Sequence, residues 1–118
     1  MNFSAKFIWE LFCEADAAIT GGGLASLEAL CCGTPLLALA HDRYQQATVS
    51  VLAQAGLCLD LGLGDLLEAC RVAALMDGFE RDLAGRERMS AAGKLRVDGM
   101  GALRVRRILE QLLAGECA

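Results

Sequence analysis

The sequence is poor in aromatic residues, holds a single histidine and has no excess of positive charge. Aromatic side chains make up 5% of its 118 residues, although hydrophobic residues together make up 55%. Alanine, leucine and glycine supply that apolar content, and this composition favours helices packed closely on a small sheet. The formal net charge of −4 argues against sequence-independent binding to nucleic acid.

Long apolar runs and metal-binding cysteine patterns are also missing. No apolar run approaches the roughly 18 residues that a membrane span needs, so no membrane span is predicted. None of the six cysteines forms a C-x-x-C pair, and the one histidine, His41, cannot complete a His/Cys zinc site, so no metal is predicted. Glu10, Glu14 and Asp16 interrupt the N-terminus where the apolar core of a signal peptide would continue. We therefore expect a reduced, cytoplasmic protein whose cysteines are mostly small buried hydrophobes.

Apolar spacing and glycine positions predict helices and strands that alternate along the chain. Three short apolar runs are typical of strands, at residues 17–20, 35–40 and 57–61. Helical spacing is found at residues 3–14, 24–32, 45–55, 65–76, 80–97 and 102–113. The order α-β-α-β-α-β-α-α-α predicts one α/β domain over residues 1–118, a small parallel sheet with helices on both faces.

The predicted sheet is small for a nucleotide-binding fold. Doubly wound sheets normally have five or six strands, whereas only three are visible here. A three-stranded parallel sheet leaves backbone edges and apolar faces poorly covered. We therefore expect a homodimer or a separate partner chain. In the last predicted helix, helical spacing predicts that Leu103, Ile108 and Leu112 face inward.

Three glycines stand between the first predicted strand and the helix that follows it. Gly21, Gly22 and Gly23 would leave free backbone N–H groups at the helix N-terminus, which is a ready-made site for phosphate or another anion. The same glycines can instead form a tight turn that lets helix and strand pack closely. Both interpretations are compatible with the spacing.

The ordered motifs of the central stretch are similar to the C-terminal, nucleotide-sugar-binding half of GT-B fold glycosyltransferases. The nearest group contains the undecaprenyl-PP-MurNAc-pentapeptide GlcNAc transferase, the spore-coat polysaccharide proteins and the UDP-sugar hydrolase of pseudaminic acid synthesis. The motifs are a strand over residues 16–20, the glycine turn, Glu28, the Gly-x-Pro of residues 33–35, the Gln45-Gln46 pair and the D-G-x-G turn of residues 98–101. The resemblance covers residues 5–112 and implies a Rossmann-like, partial GT-B C-terminal domain.

The resemblance implies a UDP-sugar as the substrate or ligand and assigns roles to particular residues. Gly21, Gly22 and Gly23 would face the diphosphate, and Glu28 would bond the ribose hydroxyls. The two glutamines, Gln45 and Gln46, would meet the sugar. Thr20 ends the motif strand. Ser26 can stand in for the hydroxyl residue that the family often has directly behind the glycines, where this chain has Leu24 and Ala25 instead.

The catalytic group is less well defined. His41 follows the second strand, where open α/β sheets place their ligands, and is a weak candidate for acid–base chemistry; a solvated loop histidine explains it equally well. The acceptor-binding half of the family is absent, so no turnover is expected from this chain alone. Three functions stay open: a UDP-sugar-binding module of a glycosyltransferase-like protein, a self-associating structural protein with a vestigial site, or part of a UDP-sugar hydrolase.

Overall fold

A computed structural model describes residues 7–115 of the chain. The element order agrees with the predicted one, and residues 3–6 of the first predicted helix lie outside the described range. The helices are α1 Ile8–Glu14, α2 Leu24–Cys32, α3 Arg43–Gln54, α4 Ala69–Arg81, α5 Leu83–Arg96 and α6 Gly101–Leu113. The strands are β1 Ala18–Gly21, β2 Leu36–Ala40 and β3 Leu59–Leu63, and a 3₁₀ turn at Gly64–Leu66 follows the last strand.

The three strands form one parallel sheet in the order β1-β2-β3. β1 and β2 pair from Ala18↔Leu36 to Gly21↔Leu39 without a shift. Between β2 and β3 the register shifts after Ala38, since Ala38 faces Asp60 whereas Leu39 faces Gly62. Gly62 has a φ of 92°, and its N–H donates to the Asp60 carboxylate at 2.7 Å, which stabilises this irregular step. The predicted small parallel sheet is confirmed.

The main core lies on the sheet face covered by α2 and α3. Alternate β2 residues Leu36, Ala38 and Ala40 point to this face and pack with Ala29 and Leu30 of α2. Val49 of α3 and the buried residues Leu57 and Cys58 extend the same cluster. α1 joins it through Phe12, whose backbone carbonyl accepts a 2.6 Å hydrogen bond from the Thr34 hydroxyl.

The opposite sheet face is only partly covered. Ile19 and Leu37 point to this side and, together with Met76 and Phe79 of α4, line a large open groove. Leu37 is buried there, whereas Ile19 of the edge strand is exposed. Helices therefore lie on both faces, as predicted, but the β1 side of the second face is open within the described part of the chain.

Several predicted boundaries are wrong by a few residues because capping side chains and turns decide them. α3 begins at Arg43 because the Asp42 carboxylate caps it, accepting from the Gln45 N–H at 2.9 Å. α5 begins at residue 83, not 80, because Asp82 ends α4 and caps the next helix through the Gly85 N–H. β3 starts two residues later than predicted, and α4 starts at residue 69 because the 3₁₀ turn precedes it.

The burial predictions for the last helix and for two cysteines are also wrong. None of the α6 residues is buried, and Leu103, Ile108 and Leu112 are each at least half exposed. Cys13 and Cys70 are exposed, whereas Cys58 is buried as predicted and Cys117 lies outside the described residues.

Asp98 stabilises the start of α6, because its carboxylate accepts hydrogen bonds from the Met100 N–H and the Arg104 guanidinium. These bonds lower the pKa of Asp98 to about 2, the Arg104 bond contributing most.

α5 packs so closely on α2 that Gly93, the α5 residue at the contact, has no room for a side chain. A Cβ at Gly93 would lie 2.9 Å from the Leu30 carbonyl oxygen and 3.3 Å from the Leu30 Cα. These are backbone atoms of a buried helix and cannot move aside singly. Gly93 is therefore the point at which the two helices approach each other, and its lack of a side chain fixes their separation.

We expect Gly93→Ala to lower the free energy of unfolding by about 1–3 kcal/mol, because the added methyl group overlaps the α2 backbone. Gly78→Ala is the matched control, since Gly78 also lies inside a helix and nothing lies within 4 Å of its Cβ position. The control should gain up to about 1 kcal/mol from helix propensity. Urea-induced unfolding measures both values, and a Gly93→Ala variant as stable as its Gly78→Ala counterpart would contradict the close packing.

Candidate functional site

The candidate site lies at the carboxyl edge of the sheet, where the loops after the three strands meet. β1 ends at Gly21, which pairs with Leu39 one residue before the end of β2. The turn of residues 21–23 and the loop at His41 are therefore neighbours. A Cβ at Gly64, after β3, would lie 3.4 Å from the Ala40 carbonyl oxygen, so the third loop reaches the same edge. Parallel α/β sheets bind their ligands at this edge.

The glycine turn is pressed against α3. Gly22 is buried, and a Cβ built on it would lie 2.7 Å from Val49 Cγ2 and 3.2 Å from the Gln45 carbonyl oxygen. Gly21 and Gly23 are exposed and face the Gln45 side-chain amide at ordinary contact distances. The close approach thus requires glycine at the middle position, whereas the two outer glycines present backbone to solvent.

α2 begins directly behind this turn, and no described side chain caps its N-terminus. The N-cap position is Gly23, and the helix has no acidic residue in its first turn. Ser26 is 0% exposed; its hydroxyl donates to the Gly23 carbonyl at 2.6 Å and its N–H donates to the same oxygen at 3.1 Å. Ser26 therefore stabilises the turn from below, and the first N–H groups of the helix stay available to an anion.

Gln45 links the glycine turn to the loop after β2. The Gln45 side-chain oxygen accepts a 3.0 Å hydrogen bond from the His41 backbone N–H, and the Gln45 backbone N–H donates to the Asp42 carboxylate. Its side-chain nitrogen lies 3.7 Å from the position of a Cβ on Gly23. The Gln45 amide is therefore fixed between two loops at the sheet edge, where its NH₂ group can donate to a ligand.

Gln46 points in another direction although it is the next residue. Its side-chain nitrogen donates to the Asp60 carboxylate at 3.0 Å and to the Ser50 hydroxyl at 3.2 Å. Its side-chain oxygen is buried without a hydrogen-bond partner among the described residues. Consecutive helical residues project about 100° apart, so one glutamine faces the glycine turn and the other faces β3.

The remaining predicted residues lie around the same edge. Thr20 is the next-to-last residue of β1, and its hydroxyl donates to the Gly21 carbonyl at 2.9 Å. Glu28 is exposed on α2, one turn beyond the helix start. His41 is exposed directly after β2. The structure thus gathers Thr20, the glycines, Gln45 and His41 at one edge, with Glu28 further along the helix.

Sequence reasoning missed residues that shape this edge. Asp42 orients α3, and the only sequence signal for it is an Asp placed directly before a helical stretch. Leu24 and Tyr44 flank the site with 78% and 89% of their surface exposed. Both stand in the first turn of a helix whose N-terminus faces the edge.

Two kinds of feature are absent from residues 7–115. No group of three or more His, Cys, Asp and Glu side chains is arranged so that it can hold a metal ion. No helix in this range has the length and apolar content to cross a membrane.

Comparison with known proteins adds one clear similarity. The chain is 38% identical over 103 residues to the spore coat polysaccharide biosynthesis protein SpsG of Bacillus subtilis. The predicted resemblance to the spore-coat polysaccharide proteins is confirmed. The aligned part is 87% of this chain but 30% of SpsG, at the C-terminal end of that protein. No protein-family model and no solved structure matches the chain.

We expect Gly22→Ala to destabilise the protein by about 1–3 kcal/mol, because its methyl group would overlap Val49 and the α3 backbone. Gly23→Ala is the control in the same turn; its φ of −95° suits any residue, and its nearest contact is an ordinary one. This control should cost less, up to about 1 kcal/mol, because alanine is a poorer N-cap residue than glycine but meets no steric overlap here. Thermal unfolding followed by circular dichroism compares the two, and equal stabilities would show that the turn is not packed against α3.

Proposed function

We propose that the chain is the nucleotide-sugar-binding module of a glycosyltransferase-like protein, with a UDP-sugar as its ligand. The observation that carries this proposal is the uncapped N-terminus of α2 behind an exposed glycine turn, at the carboxyl edge of a parallel sheet. Side chains of Asp42 and Asp82 cap α3 and α5, whereas α2, like α1, α4 and α6, has no side-chain cap. The position of α2 directly after the glycine turn at the carboxyl edge is what sets its N-terminus apart. A diphosphate at α2 would accept from free N–H groups and interact favourably with the positive end of the helix dipole.

The other residues at the edge take roles that fit this placement. The Gln45 NH₂ group is held beside Gly23 and can donate to a phosphate or a sugar hydroxyl. Glu28 is one turn along α2 and accessible, so its carboxylate can accept from ribose hydroxyls. Ser26 and Gln46 support the site from beneath, the first through Gly23 and the second through Asp60. His41 is the nearest candidate for proton transfer.

The similarity to SpsG supports the same proposal and also limits it. SpsG is named for spore coat polysaccharide biosynthesis, and this chain spans 30% of its length. We infer that the acceptor is bound by a separate polypeptide or domain that completes the site. Leu24 and Tyr44 would lie at the junction, since both are exposed beside the edge. Without that part the chain can bind but cannot orient two reactants.

The direct test is a UDP titration of the protein followed by amide NMR. Saturable shifts should cluster on residues 21–28 and at Gln45, because these groups surround the proposed diphosphate. Glu28→Ala should weaken binding about tenfold or less, since one charge-assisted bond to ribose is worth roughly 1.5 kcal/mol or less when solvent-exposed. Glu87→Ala is the matched control, because Glu87 is an exposed glutamate inside α5, away from the carboxyl edge of the sheet, and its loss should leave binding unchanged. A folded sample without saturable shifts at millimolar UDP would refute the proposal.

Self-association is a second candidate function, and the exposed face of α6 favours it. Val105, Ile108, Leu109 and Leu112 follow i, i+3, i+4, i+7 spacing and form one apolar stripe. Each is at least half exposed. An amphipathic helix with such a stripe is stable when another surface covers it, so a second copy of the chain or a partner chain would bury it.

We expect the protein to sediment as a species larger than its 12.5 kDa monomer at micromolar concentration. Ile108→Glu should shift it toward monomer, because a carboxylate would be placed in the middle of the buried stripe. Gln111→Glu is the control, since it adds the same side chain on the polar side of α6. A stable monomer for the unsubstituted protein would exclude self-association and leave a partner chain as the cover for this face.

A further inference from the structure

Two cysteine side chains meet where α1 packs against the end of α2. Cys32 is the last residue of α2 and is partly buried against the core. Its Sγ donates to the Trp9 backbone carbonyl of α1 at 3.6 Å. This contact fixes the Cys32 thiol directly on the surface of α1.

Cys13 lies four residues after Trp9 on the same helix. Helical side chains lean toward the N-terminus, so the Cys13 thiol covers the turn that carries the Trp9 carbonyl. The Cys32 thiol contacts the same turn through its hydrogen bond to the Trp9 carbonyl. In agreement, the Cys13 side chain is among the groups that raise the pKa of the Cys32 thiol, as expected for two thiols that lie close together. They are thus neighbours although they are far apart in sequence.

The adjacent cysteine is placed differently. Cys31 Sγ lies 3.2 Å from the position of a Cβ on Gly99, so it faces the turn before α6. Cys58 is buried in the main core. Cys13 is exposed to solvent, whereas Cys32 is only partly exposed. The pair therefore has one readily accessible thiol and one thiol that is more sheltered.

We propose that Cys13 and Cys32 form an oxidisable dithiol that closes to an intramolecular disulfide in the presence of hydrogen peroxide. The Cys13 thiolate attacks one peroxide oxygen, the O–O bond breaks, and Cys13 sulfenic acid and water form after proton transfer. The Cys32 sulfur then attacks the Cys13 sulfur, the S–O bond breaks, and the released hydroxide takes the Cys32 proton as a second water. Two thiols are oxidised, and one peroxide is reduced to two waters.

The order of the two steps follows from the surroundings of the two thiols. Burial, with contributions from Cys13 and the nearby groups, raises the pKa of the Cys32 thiol to about 11. Cys32 is therefore protonated near neutral pH, and the exposed Cys13 reacts first. The resulting bond closes the loop of residues 13–32, which contains β1, the glycine turn and α2. Oxidation would thus tie the scaffold of the candidate site to α1.

The test treats the folded 118-residue chain with a small excess of hydrogen peroxide and then alkylates the remaining thiols. The protein should lose the mass of two hydrogen atoms and stay a single chain on non-reducing gels. Combined cleavage after Glu14, Glu28 and Arg43 should release a cross-linked pair of peptides holding Cys13 and Cys32, with Cys58 still alkylated. Its Tm should rise by roughly 5–15 °C and return to the original value on reduction.

Matched variants assign the bond to the proposed pair. Cys31→Ser should keep the cross-link, whereas Cys32→Ser and Cys13→Ser should each abolish it. Fragmentation of the cross-linked peptide from the unsubstituted protein separates Cys31 from Cys32 even where a variant fails to fold. The proposal is overturned by a cross-link that maps to Cys31, by disulfides between chains, or by a folded protein whose Cys13 is oxidised beyond sulfenic acid without any cross-link.

Discussion

The close approach of the glycine turn to α3 is the constraint on which the candidate site depends. Gly22 leaves no room for a side chain between the end of β1 and the backbone of α3. That contact brings the start of α2 beside Gln45, whose side chain in turn holds the loop at His41. The glycine turn and the segment from His41 to Gln45 are thereby fixed together at one edge of the sheet. The helix N-terminus is then open in a place where polar side chains can surround a ligand.

The two faces of the sheet are covered to different extents. α2 and α3 cover one sheet face, and α5 packs on α2 through the backbone contact at Gly93. The other face is open beside Ile19, and the apolar stripe of α6 is exposed along its length. A small domain gains most of its stability from apolar burial, so these surfaces are where further stabilisation is available. The chain spans 30% of the length of SpsG.

Much of the fold could be predicted from sequence because strong local signals mark it. The apolar run of β2, the glycines after β1 and the helical stop at Gly33 fix the element order and the parallel sheet. The predicted helix boundaries were wrong where a single capping side chain sets them, as with Asp82, which ends one helix and caps the next.

At the site, the contact of Gln45 with the glycine turn follows from strand topology, because the loops after neighbouring parallel strands lie side by side. The contact of Gln46 with Asp60 does not, since it depends on how α3 is rotated over β3. Exposure of α6 was not predictable because periodicity marks an apolar face without saying what covers it.

We propose that the start of α2 binds the diphosphate of a nucleotide-sugar. Comparing the affinities of uridine, UMP and UDP for the intact chain by calorimetry tests it most directly, because the three ligands differ only in phosphate. Affinity should rise with each phosphate, and added salt should reduce the difference, since N–H groups and the helix dipole carry the interaction. Equal affinities for uridine and UDP would contradict it, because the glycine turn would then contribute nothing to binding.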